Sequence, residues 1–388
     1  MRIGILIPSF LPVTGGAEIG AYQLGRRLVG RAHDVTVLTP QLDRCWPLAE
    51  TMAGGIRVRR FPVPRWLPGR ETLPAIIAAY RSLGQLLREV RPDVLNMHYL
   101  LTTGLGGQWW ASRLGVPTVL TLIGMDVYDP VYRPPAALRT LMRRAARQSA
   151  AVTCISTFVR DIVERDYPRG RRGAASVIPY GVDIKEFHPG VGGDGVRERY
   201  RVARGEKLVL TVQRLFPRKG VQHFVKAAAV VRQACPEARF LVVGDGPERA
   251  GLEALGRELG LDPVLKFAGL VDNSQLPSVY AASDVFAFHT FHEGLGIVLL
   301  EAIASGRPVV TTVAGGTTDI IREGENGLLV PPGDDRALAD AMVRLLRSES
   351  EARALAARGR EIAEREYDWD VIADRYLEIF QRVVGPAP

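Results

Sequence analysis

The stretch "DVFAFHTFHEGLGIVLLEAIASGRPVVTT" (284–312) decides the fold. Its first six residues, "DVFAFH" (284–289), form an apolar run short enough for a buried strand. The turn that follows carries Glu293, Gly294 and Gly296. An apolar helical stretch spans 297–305, and "RPVVTT" (307–312) reads as the next strand. Strand, helix and strand in that order make a βαβ unit, the building block of a parallel sheet.

The same alternation runs outward in both directions. On the N-terminal side the strand candidates are 3–8, 34–39, 56–61, 94–98, 118–123, 151–156 and 176–181, with helices at 17–30, 74–90 and 104–114. After a glycine-rich, charged stretch at 188–206, strands recur at 207–213, 239–246, 264–269, 284–289, 307–312 and 327–332. The pattern predicts an α/β protein of two doubly wound domains, 1–187 and 207–368, joined by a linker at 188–206. The last helix, within 369–388, follows the second domain directly and is expected to brace the first. Doubly wound sheets bind ligands beyond the carboxyl ends of their strands, so two such domains facing each other place a site in the cleft between them.

Composition agrees with ordered globular structure, at 47% hydrophobic and 24% charged residues over 388 positions. The apolar start stops at Pro8 with no small-residue cleavage site, and no window reaches the 18 apolar residues of a membrane span. Cys45, Cys154 and Cys235 are scattered and odd in number, which suits a reducing, cytoplasmic setting. Charge is uneven: residues 1–180 hold 24 Arg and no Lys against 12 acidic residues, a balance of +12, and the remainder carries −4. A basic half suits an anionic partner, although an arginine-rich genome would leave the same mark.

Glu293 and Glu301 lie eight positions apart, one in a strand-to-helix turn and one inside the helix. A helix start attracts phosphate through its unpaired N–H groups, and glycines let a ligand approach the backbone. Carboxylates accept from hydroxyls instead. The combination suits phosphate flanked by hydroxyl-bearing sugars, as in a sugar nucleotide. Solvent-facing carboxylates fit the spacing equally well. Upstream, "TVQRLFPRKG" (211–220) places Arg214 and Lys219 in a loop after a strand, where two cations can neutralise a departing diphosphate.

Taken together, "PSFLPVTGGAE" (8–18), "IPYGVDIKEFHP" (178–189), "VQRLFPRKG" (212–220), "VVGDGPE" (242–248), "HEGLGIVLLEAIASGRPVVTTVAGG" (292–316) and "GENGLLVPPGD" (324–334) resemble the family-4 retaining glycosyltransferases of the GT-B fold over almost the whole chain. The resemblance implies that Glu293 contacts hydroxyls of the transferred sugar and Glu301 the ribose. It also implies that Arg214 and Lys219 clamp the diphosphate, helped by the backbone of Gly294, Leu295, Gly296 and Ile297. Gly15 and Gly16 match the glycine pair that approaches the donor phosphates, and Phe267 lies in the segment that contacts the base. The implied reaction is metal-independent transfer of a hexose from a UDP- or GDP-linked donor to a hydroxyl of a glycan, lipid-linked or small-molecule acceptor, with retention. The donor phosphate helps to deprotonate the acceptor, so no protein nucleophile is required. Domain closure excludes water.

One position departs from the family. In "LTLIGMDV" (120–127) many relatives carry histidine where this chain has Ile123, which leaves His98 and Asp126 as the polar candidates on the acceptor side. That departure keeps two other readings open: a sugar-nucleotide-binding protein with impaired catalysis, and an epimerase on the same scaffold. Two metal-like patterns are present. His289 and His292 sit in a strand end or loop without a third ligand, and "DWD" (368–370) precedes a helix that Asp would cap, so no metal is expected. The segment 133–150 gathers Arg133, Arg139, Arg143, Arg144 and Arg147 around Leu138, Leu141 and Met142. Such a helix can rest on anionic lipid at the inner face of the membrane, or pack its apolar side on the first domain. A G-x-G-x-x-G fingerprint after the first strand and any nucleic-acid-binding signature are missing, which argues against a dehydrogenase and a DNA- or RNA-binding protein.

Overall fold

The computed structural model describes residues 1–13, 15–63, 73–124, 127, 134–168, 170 and 173–385. It divides into two compact units, Met1–Tyr180 with Trp369–Pro388, and Gly181–Asp368. The first contains strands β1 (Arg2–Leu6), β2 (Asp34–Gln41), β3 (Ala49–Thr51), β4 (Arg57–Pro62), β5 (Val94–His98), β6 (Thr118–Leu122), β7 (Ala151–Cys154) and β8 (Ser176–Val177). They form one sheet in the order β3-β4-β2-β1-β5-β6-β7-β8, parallel except for β3. β1, β5 and β6 are apolar along most of their length and almost wholly buried, as strands covered on both faces must be. The C-terminal helix Trp369–Val384 belongs to this unit. It buries Trp369, Ile372, Tyr376 and Phe380, while Arg31 pairs with Asp370 at 3.0 Å and Asp374 at 2.7 Å.

The second unit holds β9 (Lys207–Val212), β10 (Ala238–Val243), β11 (Leu265–Gly269), β12 (Val285–Phe288), β13 (Val309–Thr312) and β14 (Leu328–Val330), all parallel, in the order β11-β10-β9-β12-β13-β14. Helices Val221–Ala234 and Asp335–Arg347 pack over it around Phe224, Val231, Phe240, Leu338 and Met342. The expected linker is corrected here. Residues 188–206 fold into this unit, with a helix at Asp194–Arg199, and the chain changes unit at Tyr180 and Gly181. Gly193 sits where a Cβ would fall 2.5 Å from the Ala282 backbone. Arg197 donates to the carbonyls of Ala282 at 2.8 Å and Glu206 at 2.6 Å, and pairs with Asp284 at 3.2 Å.

Candidate functional site

In the second sheet the strand order reverses between β9 and β12, whose carboxyl ends therefore lie side by side with loops leaving in opposite directions. That switch point is where open parallel sheets make their crevice. From β9 comes the loop with Arg214 and a short turn, Pro217–Lys219, ended by Gly220 at φ 60°. From β12 comes the loop with Glu293 and Gly294. Gly296, at φ 96°, then opens the helix Ile297–Ala304. Positive φ at both glycines is a conformation that other residues adopt only with strain, so the turn geometry explains these two positions.

The two loops meet in one contact. The Lys219 ammonium donates to a Glu293 carboxylate oxygen, both side chains being largely buried, and stands 5.6 Å over the Phe288 ring. The other Glu293 oxygen accepts from the Gly294 N–H at 3.1 Å. Behind it, the Gly316 N–H donates to the Glu293 carbonyl at 3.0 Å, and a Cβ on Gly316 would lie 2.2 Å from the Gly294 oxygen. Gly244 and Gly246, after β10, abut the carbonyls of Gln213 and Leu215 in the same close way. These glycines fall inside the motifs of the sequence, but their role as packing surfaces for the Glu293 and Arg214 loops is visible only in three dimensions.

Glu301 lies one turn into the helix, half-buried, and its carboxylate accepts from the buried Tyr280 hydroxyl at 2.7 Å. Burial raises its pKa to about 7; the hydrogen bond from Tyr280 opposes that rise, and the charge of Glu186 adds to it. Arg214 is exposed, its guanidinium 5.7 Å from the Phe216 ring centre, and no carboxylate pairs with it among the described residues. Leu295 is buried, Ile297 half-buried, and the Phe267 side chain packs against the core of this unit, leaving its backbone on the edge strand β11.

In the first unit the strand order reverses between β1 and β5. Gly15 and Gly16 follow β1 at the start of helix Gly16–Gly30 and are exposed. Their loop is tied down by Ser9, which donates to Glu18, a residue sequence reading did not single out. A Cβ on Gly15 would lie 2.5 Å from the Glu18 carboxylate. His98 corrects an expectation. It ends β5 but is wholly buried, with Nε2 2.9 Å from the Asn96 side-chain oxygen and Nδ1 3.5 Å from the Tyr180 hydroxyl. Burial lowers its pKa to about 4. It is a satisfied core histidine, not an exposed acceptor contact. Asp126 and Arg133 lie outside the described residues.

His289 and His292, weighed above as metal ligands, separate: His289 is buried and His292 exposed. Among the described residues no three His, Cys, Asp or Glu side chains group to hold a metal, and no helix is long and apolar enough to cross a membrane.

Comparison with known proteins matches residues 14–186 to the model of Glycosyltransferase Family 4 and residues 195–362 to that of Glycosyl transferases group 1. A GDP-mannose-dependent alpha-mannosyltransferase of Mycobacterium tuberculosis is 33% identical, with 99% of this chain and 97% of that protein covered. A GDP-mannose-dependent alpha-(1-6)-phosphatidylinositol monomannoside mannosyltransferase of the same species is 30% identical, with 98% of each covered. Among solved structures, a sucrose-phosphate synthase of Thermosynechococcus elongatus superposes with a TM-score of 0.83 at 24% identity, covering 98% of both chains, and so shares the fold. On these matches the chain belongs to the family-4 glycosyltransferases of GT-B type and is a hexosyltransferase.

Proposed function

We propose that the protein transfers a hexose, with retention and without a metal, from a nucleoside-diphosphate sugar to an acceptor hydroxyl. The observation that carries this is the Lys219–Glu293 contact at the switch point of the second sheet, in the loop that leads into the helix bearing Glu301. In this reading Lys219 and Arg214 offset the charge that develops on the departing diphosphate. Glu293 accepts from hydroxyls of the sugar and Glu301 from those of the ribose. The relatives named as GDP-mannose-dependent, at 33% and 30% identity, favour GDP-mannose over a UDP-linked donor. The second of them is named for a phosphatidylinositol monomannoside, which favours a lipid-linked acceptor. The helix Ala136–Gln148 supports contact with an anionic membrane: Arg139, Arg143, Arg144 and Arg147 are exposed, as is 53% of Leu141.

The test is calorimetric titration with GDP, UDP and ADP in chelator, followed by turnover of GDP-mannose with anomeric NMR of the product. Preference for GDP with an α-linked product supports the reading. Tight nucleotide binding without transfer would replace it with that of a sugar-nucleotide binder, and absence of binding in chelator would overturn metal independence.

A further inference from the structure

His289 follows β12 and is wholly buried, four residues before Glu293. Its Nε2 accepts from the Gly333 N–H at 2.9 Å, so in the neutral ring the hydrogen is on Nδ1. Nδ1 faces the turn that carries Lys219: a Cβ on Gly220 would fall 2.3 Å from it, and the Lys219 backbone is the hydrogen-bonding group that approaches the ring. One face of the ring is covered by His223, with centres 4.4 Å apart and planes 24° apart, and Phe291 meets it at 5.0 Å and 80°. His223 is held in turn by Asp335, whose other oxygen lies 3.9 Å from the Lys226 ammonium.

The stacking excludes a metal pair, since the in-plane lone pairs of two parallel rings do not converge on one point. It leaves a wedge. The loop 217–220, the loop 289–293 and the loop 331–335 all touch the same two imidazoles, and Phe291 N–H further donates to the Arg218 carbonyl at 3.1 Å. Burial keeps the His289 ring neutral, with its pKa lowered to about 4, so Nε2 remains an acceptor near neutral pH.

Resting on the donor reading above, we infer that His289 is a positioning residue for diphosphate recognition. By accepting from Gly333 and filling the space under the Lys219–Gly220 peptide, it sets the place of the Lys219 ammonium against the second phosphate of a nucleoside diphosphate. It touches no substrate and acts through Lys219.

The test compares GDP with GMP, or UDP with UMP if the uridine nucleotides bind. Lys219 meets only the second phosphate, so the diphosphate-to-monophosphate affinity ratio reports its position. His289→Leu, which keeps bulk and removes the acceptor, is expected to lower that ratio about tenfold while monophosphate affinity stays within about twofold. His289→Gln, which restores an acceptor for Gly333, is expected to recover most of it. An unchanged ratio, or equal loss for both nucleotides, overturns the inference and leaves the donor reading intact. Wild-type protein that binds neither diphosphate removes the donor reading and the inference with it. Should His289→Leu fail to fold, ¹⁵N-histidine NMR of the wild type decides: GDP must shift the His289 nitrogens and GMP must not, and equal shifts overturn the proposal.

Discussion

Lys219 and Glu293 are paired across 74 positions of chain, each in the loop that follows one of two neighbouring strands, β9 and β12. The carboxylate neutralises the cation assigned to the diphosphate, so a nucleotide must compete with Glu293 for it. Loss of either partner slows transfer, but the two differ in their effect on binding. Lys219→Ala should slow transfer about 10²- to 10³-fold by leaving the departing phosphate uncompensated. Glu293→Gln should also slow transfer, about 10- to 100-fold, yet bind GDP several-fold more tightly because Lys219 is released. Calorimetry with GDP and steady-state kinetics on each variant check both. Weaker GDP binding by Glu293→Gln would mean that the carboxylate holds Lys219 in place for the phosphate and does not compete for it.

The Glu293 loop leans on Gly316, where an added Cβ would meet the Gly294 oxygen at 2.2 Å. Backbone is on both sides of that contact, so nothing flexible can yield. Gly316→Ala should cost about 1–3 kcal/mol of stability and weaken donor binding by moving Glu293. Gly251→Ala, at a helical site with open space around it, should be neutral or stabilise by about 0.5–1 kcal/mol. Thermal melts and donor titrations of the pair separate local crowding from a general intolerance of alanine.

The sheets were legible because buried parallel strands are nearly continuous apolar runs, and the positions of Lys219 and Glu293 in loops after strands followed from the same pattern. What composition hid was long-range. Residues 188–206 look like linker, being rich in glycine and charge, yet Gly193 and Arg197 serve a surface around Ala282 that lies 85 positions from Arg197. His98 at a strand end looks accessible, and only the fold brings in Tyr180, 82 positions away, to cover it. The strand Ala49–Thr51 is three residues long, too short for any periodicity to register. Likewise, His223, His289 and Asp335 come from three separate segments, so no local motif could join them.

Glu301 should couple nucleotide binding to pH. Its carboxyl titrates near 7 in the free protein because burial disfavours the charge, whereas ribose hydroxyls donate to the ionised form and would lower that value. Binding at pH 7 should therefore release part of a proton, and affinity should rise with pH through about 7. Calorimetry in buffers of different ionisation enthalpy measures the release directly. It should vanish in Glu301→Gln, and a wild type that takes up protons would contradict the ribose assignment.

Acid should destabilise the fold through its buried histidines. His98 and His289 both have pKa values lowered from 6.5 to about 4, so the unfolded chain binds more protons than the folded one between those limits. Stability is then full above pH 6.5 and falls as pH drops toward 4. By pH 5 the two together cost at most about 4 kcal/mol at 1.36 kcal/mol per unit. Glu301 works in the other sense. Its folded value is raised, so the folded chain binds more protons between 4.5 and about 7, and lowering the pH over that range relieves the cost of a buried charge. Because Glu301 is half-buried and not wholly sealed from water, that relief is about 1–2 kcal/mol, smaller than the histidine loss. Urea midpoints should therefore drop between pH 7 and pH 5 in the wild type and drop further in Glu301→Gln, which lacks the compensation. In His289→Gln the drop should shrink by well over half, since one of the two histidine contributions is gone while the relief from Glu301 remains. An identical drop in all three chains would place the acid sensitivity elsewhere in the molecule.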